Sequence, residues 1–503
     1  MQCRRTKFTR VRTIALVASM AVLASLVIAG PSLAAAPPVG TACQASDGKI
    51  SGRGATFQTV AQQTFIAGYK EDVCGPVPSQ GANDPAPNDM VTYNYPDAVA
   101  ASATGSGNGR SAADCRTDAF AGTDSPYSNT QLTQLWSAPA TLNASGCDLP
   151  FIPPYTPAGV SNPGPPQTWH YPLTGGNASV AAPLMSFPVA GAAVQLAANL
   201  TGRCTTTPAV LNMTTLQISA VLGGTITTWN DPALAGSGAP ENGCSGSITR
   251  VVRQDTSGTS GILKRYLRNA DTANPNPRLC NSTSTTADSW VDATYNTDNP
   301  NWPSGGTCSA KIDAGTSGAP ALLGLLDTTA GGIGYADAAD WAGHTEVPVA
   351  LRNRSNTAFV AALKTPGDVT SGSNCTFRTA IPNSGSNPTD IVGLNEASPG
   401  VPSNSNWANN VTPNFSDQTW QSAAPGNAGY PICGVTFDLV YSGINSNGSN
   451  GMTWLSANQR RTLYSYVTYM MSPAAQQRLK TAGYAPIPQS FWDKIRAGFQ
   501  SAF

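Results

Sequence analysis

Arg253, Ser257, Gly258 and Thr259 bring a guanidinium, two hydroxyls and a glycine into one short stretch, the residue types that together can hold an oxyanion. Around them, Val251 and Val252 end an apolar run, whereas Ile262, Leu263, Tyr266 and Leu267 recur at helical spacing. The Ser257-Gly258-Thr259-Ser260 stretch therefore falls where strand and turn give way to a helix. The first turn of a helix has unpaired N–H groups and a partial positive charge, and the Ser257 and Thr259 hydroxyls add donors beside it. Arg253 supplies a planar fork that fits a tetrahedral oxyanion bidentately. Asp255 is placed either to orient Arg253 or simply to make the turn. An ordinary serine N-cap after a surface turn explains the same residues, so other segments must decide.

Positioning such a group needs a scaffold, and a chain of 503 residues exceeds a usual single domain, so two lobes are expected. Residues 55–69 read as a helix after their first turn, with Val60, Phe65, Ile66 and Tyr69 as the apolar face. Residues 91–95 alternate as a strand, and 104–110 (TGSGNGR) form a Gly-rich turn before another helix start. Residues 182–200 read as a strand, a Gly turn and a second apolar stretch, where the chain can cross between lobes. Residues 268–310 and 365–435 are polar, aperiodic and cysteine-bearing, and 148–176 are rich in Pro and Gly. These stretches read as insertions and loop, and the final helices span 456–471 and 473–481.

Composition narrows the class. Arg4, Arg5, Lys7, Arg10 and Arg12 precede an apolar run from Ile14 to Ala29 and then Ser32-Leu33-Ala34, the pattern of an export signal in residues 1–34, with a Sec-type signal favoured. No lipobox cysteine follows, so a secreted or extracytoplasmic protein without a lipid anchor is expected. Losing those five cations from 28 Lys+Arg leaves an excess of acid against 28 Asp+Glu, which argues against a nucleic-acid partner. Ten of the eleven cysteines lie beyond the signal, and an even, scattered set in an exported chain reads as disulfides between sequence neighbours, such as Cys280 with Cys308 and Cys375 with Cys433. There is no C-x-x-C, and His170 and His344 are the only histidines, so no metal site and no cofactor is expected.

Several blocks together carry a resemblance. Gly52 to Phe57 (GRGATF), Gly105 to Gly109 (GSGNG), Phe120 to Pro126 (FAGTDSP), Gly223 to Pro232 (GGTITTWNDP), Arg253 to Ser260 (RQDTSGTS), Gly331 to Tyr335 (GGIGY) and Gly483 to Pro488 (GYAPIP) come in one order along the chain. The chain resembles the phosphate-binding proteins of the PstS family, receptors of ABC phosphate transporters, to which the secreted DING proteins are related. The resemblance implies an α/β, two-lobed periplasmic-binding-protein-like fold (type II) with a hinge and a ligand cleft between the lobes. Residues 44–187 and 346–503 would form lobe I, with insertions near 130–180 and 365–435. Residues 188–345 would form lobe II, with an insertion near 268–310.

Carried over residue by residue, Thr56, Phe57 through its backbone, Ser106 and Asp124 would line one lobe, and Arg253, Ser257, Gly258 and Thr259 the other. Asp124 would accept the hydrogen that phosphate keeps at neutral pH and sulfate lacks. The resemblance further implies inorganic phosphate as ligand, an ABC transporter permease as partner, a monomer, and no catalytic residue. A secreted hydrolase acting through Ser257 or Ser260 is the alternative, but no G-x-S-x-G elbow occurs and both histidines lie in poor contexts. A surface interaction protein that keeps only the fold is a third reading.

Overall fold

The computed structural model describes residues 48–74, 90–94, 105–115, 118–124, 184–272, 279–281, 290, 295, 298–315, 318–353, 358–363, 394–395, 398–402, 430–441, 455–487, 489 and 492. Strand β1 (Ile50–Gly54) points Ile50, Gly52 and Gly54 inward and leads through a 3-10 turn at Thr56–Gln58 into α1 (Thr59–Tyr69), which buries Ala61, Phe65 and Tyr69. Then come β2 (Val91–Tyr93), α2 (Ser106–Cys115) and β3 (Phe120–Thr123), with β2 and β3 both parallel to β1.

The long strand β4 (Leu184–Asn199) is followed by β5 (Leu211–Met213), α3 (Thr215–Leu222), β6 (Thr249–Arg253) and α4 (Gly258–Thr272). Next are β7 (Ala310–Ala314), α5 (Gly318–Thr328), β8 (Gly332–Asp337), β9 (Val347–Arg352) and β10 (Phe359–Val360). A separate hairpin, β11 (Leu394–Asn395) and β12 (Ser398–Pro402), precedes β13 (Cys433–Tyr441), α6 (Ala457–Met470) and α7 (Pro473–Thr481). Ser456 and Ser472 cap α6 and α7, each accepting a backbone N–H of the first turn.

The main sheet runs β2-β1-β3-β13-β4-β8-β6-β7. The fold is α/β and two-lobed, and β4 is the strand the lobes share. Leu184 to Ala193 pair antiparallel with β13, whereas Val194 to Asn199 pair antiparallel with β8. β9 pairs with β5 and with the end of β4. The sequence places a turn at Gly191, and the structure corrects this: β4 is continuous. Gly191 faces Val435 on one side and bridges Ala485 on the other, donating its N–H to the Ala485 carbonyl at 3.0 Å. In a strand paired on both edges, a glycine marks close backbone approach rather than a turn.

Each lobe has its own aromatic core. Tyr466 stands 5.5 Å from Tyr69 and 5.7 Å from Phe120, ring centroid to ring centroid, while Trp302 stands 5.7 Å from Trp290 and 5.5 Å from Tyr335. Both tryptophans come from the stretch read as a polar insertion, so part of it is core. Cys280 pairs with Cys308, as the neighbour rule expects, and Cys204 pairs with Cys244. Cys433 is disulfide-bonded, and Cys375 lies outside the described residues.

Candidate functional site

Strand ends and helix starts converge where the lobes meet. β1 delivers Thr56 and Phe57, the turn at Gly105 delivers Ser106 as the first residue of α2, and β3 ends just before Asp124. From the other lobe, β6 ends on Arg253, and α4 begins at Gly258. Thr56, Phe57, Ser106, Asp124, Arg253, Asp255, Ser257 and Thr259 are all buried. The structure thus brings together residues that are up to two hundred positions apart in sequence.

The approach of α4 to the first lobe is close. A Cβ on Gly258 would lie 2.4 Å from both Asp124 Cβ and Ser106 Oγ, so only glycine lets the α4 N-terminus sit there. Gly107 donates its N–H to the Thr256 carbonyl at 3.2 Å across the same junction. The N-terminus of α5 arrives too, since a Cβ on Gly318 would lie 2.2 Å from Thr56 Cγ2. Helix N-termini from both lobes therefore point their free donors and positive ends at one small region.

Arg253 is held on three sides. Its Nε donates to Asp255 Oδ1 at 2.5 Å, its Nη2 donates to Asp255 Oδ2, and its Nη1 donates to Thr56 Oγ1 at 3.0 Å. A guanidinium has five N–H groups, so one on each terminal nitrogen is left for a further acceptor. Burial pulls the guanidinium pKa down, but the Asp255 charge and hydrogen bonds outweigh it and hold the pKa above its ordinary value. Arg253 stays charged, and Asp255 already neutralises it.

Asp124 faces this group. Its backbone N–H donates to Ser106 Oγ at 2.9 Å, and that hydroxyl donates to Asp124 Oδ2 at 3.0 Å. Among the described residues, neither the buried Oδ1 nor the hydroxyl of nearby Thr436 has a hydrogen-bond partner. Burial raises the Asp124 carboxyl to about 7, against the lowering effect of Thr436, Ser106, Arg253 and Arg265. A carboxyl poised near neutrality can accept or share a proton with whatever occupies the space beside it.

Ser257 is engaged as the N-cap that its sequence position also allows. Its Oγ accepts the Ser260 N–H at 3.2 Å, an N-cap, and its own N–H donates to the Asp298 carbonyl at 2.9 Å. Ser260 Oγ shares a hydrogen bond with Tyr335 OH at 2.5 Å, and that phenol also accepts the Arg253 N–H at 3.3 Å.

Asp298, Arg110, Arg265, Gly318 and Tyr335 all reach the site without having been assigned to it from sequence. Asp298 Oδ2 accepts from Arg110 Nη2 at 2.8 Å, an ion pair joining α2 of one lobe to the segment before β7 of the other. That segment is anchored by Lys264, whose Nζ donates to the Asn299 carbonyl at 2.7 Å and the Asn301 carbonyl at 2.8 Å while standing 4.7 Å over the Trp302 ring. Arg265, one helical turn below Gly261, adds a second cation near Asp124, and among the described residues its Nε and Nη2 have no hydrogen-bond partner. No local motif marks Asp298 or Arg265. Tyr335 closes the GGIGY block, the one signal that could have found it.

Comparison with known proteins places the geometry. The sequence pattern of the PBP superfamily domain matches residues 171–386. No curated protein matches the chain by sequence. Among solved structures, the PBP fold of this chain is similar to the ancestral soluble variant of the human phosphate binding protein, with TM-score 0.50 and 18% identity, over 89% of this chain and 93% of that one. It is equally similar, at TM-score 0.50 and 17% identity over the same shares, to the periplasmic phosphate-binding protein PfluDING, solved with bound phosphate. The phosphate binding protein of Stenotrophomonas maltophilia matches at TM-score 0.50 and 18% identity, again over 89% of this chain and 93% of that one. At such identity the likeness is one of fold, and these neighbours are binding proteins.

Proposed function

We propose that the chain is an extracytoplasmic phosphate-binding protein that closes its lobes over one inorganic phosphate and delivers it to an ABC transporter. The observation that carries this reading is the pairing of opposites in one buried space: two free Arg253 N–H groups beside a carboxylate oxygen, Asp124 Oδ1, that lacks a hydrogen. A ligand that satisfies both must accept hydrogen bonds with most of its oxygens and donate one with another. Hydrogen phosphate does this, and sulfate cannot. Thr56, the Phe57 backbone, Ser106, Ser257, Gly258 and Thr259 complete the donor set, and Asp255 holds the Arg253 fork in place. The phosphate named for the fold neighbours supports the same ligand.

Binding without turnover is the better reading of the hydroxyls. Ser257 Oγ is committed to capping α4 and Ser260 Oγ to Tyr335, so neither has a base to activate it. Among the described residues the one histidine, His344, bonds to Asp327 instead. The shared strand β4 is the proposed hinge, and because β9 pairs with β5, we place the return to the first lobe after β10. Export by the signal in residues 1–34 and a monomeric state complete the proposal.

Equilibrium dialysis of the ligand-stripped protein against labelled phosphate tests it. One phosphate per chain, recovered unchanged from an ester-free solution and competed by arsenate but not sulfate, is expected. Absence of saturable binding, or release of phosphate from added phosphate esters, would overturn it.

A further inference from the structure

A second cluster of ligating side chains lies on the lobe built from β8 and β9, outside the cleft. Asp327 stands in the last turn of α5, and His344 and Glu346 lie in the stretch leading into β9. The turn before them passes through Gly343 in the left-handed region, at φ 84°, which returns the chain toward the end of α5. His344 and Glu346 are two apart in the irregular stretch between that turn and β9. One ligating atom from each of the three residues lies within 4.8 Å of the other two.

The charges in this cluster are poorly matched as they stand. His344 Nδ1 and Asp327 Oδ1 are 2.9 Å apart. Glu346 is only 7% exposed, its carboxylate faces that of Asp327, and among the described residues its Oε2 has no hydrogen-bond partner. Asp327 also sits at the negative end of a helix, where a carboxylate is disfavoured. Two carboxylates and a helix C-terminus thus surround one imidazole, and the buried Glu346 oxygen points at a missing positive group. A proton could supply it, but one imidazole and two carboxylates also form the donor set of a borderline metal ion.

We propose that Asp327, His344 and Glu346 bind one divalent transition-metal ion of the zinc class. Ligating atoms around a tetrahedral zinc lie about 3.4 Å from one another, given metal–ligand bonds near 2.1 Å, a contraction that side-chain rotation alone can supply. Three protein ligands leave a fourth position for water. The ion would tie the end of α5 to the start of β9 and stiffen the lobe that carries Arg253. The imidazole selects against calcium and magnesium, which take oxygen ligands. The count of cysteines and histidines gave no hint of such a site, because two of its three ligands are carboxylates.

Calorimetric titration of the full chain with zinc chloride, in a phosphate-free and non-chelating buffer at neutral pH, tests the proposal. One saturable site is expected, together with a shift of the His344 ring nitrogens in an NMR spectrum where His170 is the only other histidine. His344→Ala should abolish binding, and Asp327→Asn should weaken it at least about tenfold. His344 is half-buried against Trp341 and Asp327, so His344→Ala is read only where its metal-free fold is intact by circular dichroism, and Asp327→Asn, which keeps the side chain's shape, reads the same loss independently. Lack of saturable zinc binding, or binding that persists in His344→Ala, would overturn the site.

Discussion

At the residue scale, the proposed anion site turns on Arg253 and its fixed fork. Arg253→Ala leaves the helix N-termini but removes the buried countercharge and strands Asp255, and no phosphate binding should remain by calorimetry. Arg253→Lys keeps the charge without the fork, and affinity should fall by at least about 1.5 kcal/mol, roughly tenfold. Unchanged affinity in either variant would remove Arg253 from the site. Much of this constellation was legible, because Arg253, Ser257 and Thr259 are adjacent and Ser106 and Asp124 each lie in a recognisable Gly-rich or turn block. The Ser257 reading was incomplete for a physical reason. Its N–H goes to Asp298, forty-one residues downstream, and no local pattern encodes a partner at that distance.

At the element scale, what matters is how closely α4 and α2 can approach. Gly258→Ala would place a methyl group 2.4 Å from Asp124 Cβ and Ser106 Oγ, so the lobes should fail to close. Phosphate affinity should drop by at least about tenfold, because the α4 N-terminus could no longer sit against Asp124 and Ser106. The Arg110–Asp298 ion pair spans the same junction, with its side chains 7% and 18% exposed. Arg110→Ala should speed phosphate release by roughly tenfold, corresponding to about 1 to 1.5 kcal/mol for a partly shielded charged hydrogen bond. Stopped-flow release at the parent rate would show that the pair does not hold the closed form. The helices were readable from caps and apolar spacing. The continuity of β4 was not, because Gly191 punctuates a turn and a tightly paired strand with the same letter, and only Val435 and Ala485 distinguish the two.

At the scale of the whole molecule, the polar groups buried in the core set a pH dependence. Burial pushes the Asp438 carboxyl up to about 8, although Gln62 Nε2 donates to it at 3.0 Å. A folded-state pKa above the unfolded value of about 3.9 means that the stabilisation is complete below that value and is lost as pH rises through 8. Asp124, raised to about 7, acts in the same direction. The ligand-free protein should therefore melt at progressively lower temperature between pH 5 and pH 7, the window below both raised values and below the lowered pKa of Lys264, which acts in the opposite direction. Asp438→Asn should flatten that slope, and parallel melting curves for the two proteins would contradict the assignment. Two lobes were foreseeable from length. That Trp290 and Trp302 anchor one of them was not, since they sit in a polar stretch without periodicity.

The central claim is that Asp124 reads a proton on the ligand while Arg253 and the helix N-termini hold its oxygens. Calorimetric titration of the parent and of Asp124→Asn with phosphate and with sulfate, at pH 9, where an Asp124 carboxyl raised to about 7 is ionised and phosphate still keeps one hydrogen, tests it most directly. The parent should bind one phosphate and discriminate against sulfate by at least about a hundredfold, the effect of a buried carboxylate left without its hydrogen. Asp124→Asn, whose amide can donate to either anion, should lose most of that discrimination. Equal preference for phosphate in both proteins would contradict the account.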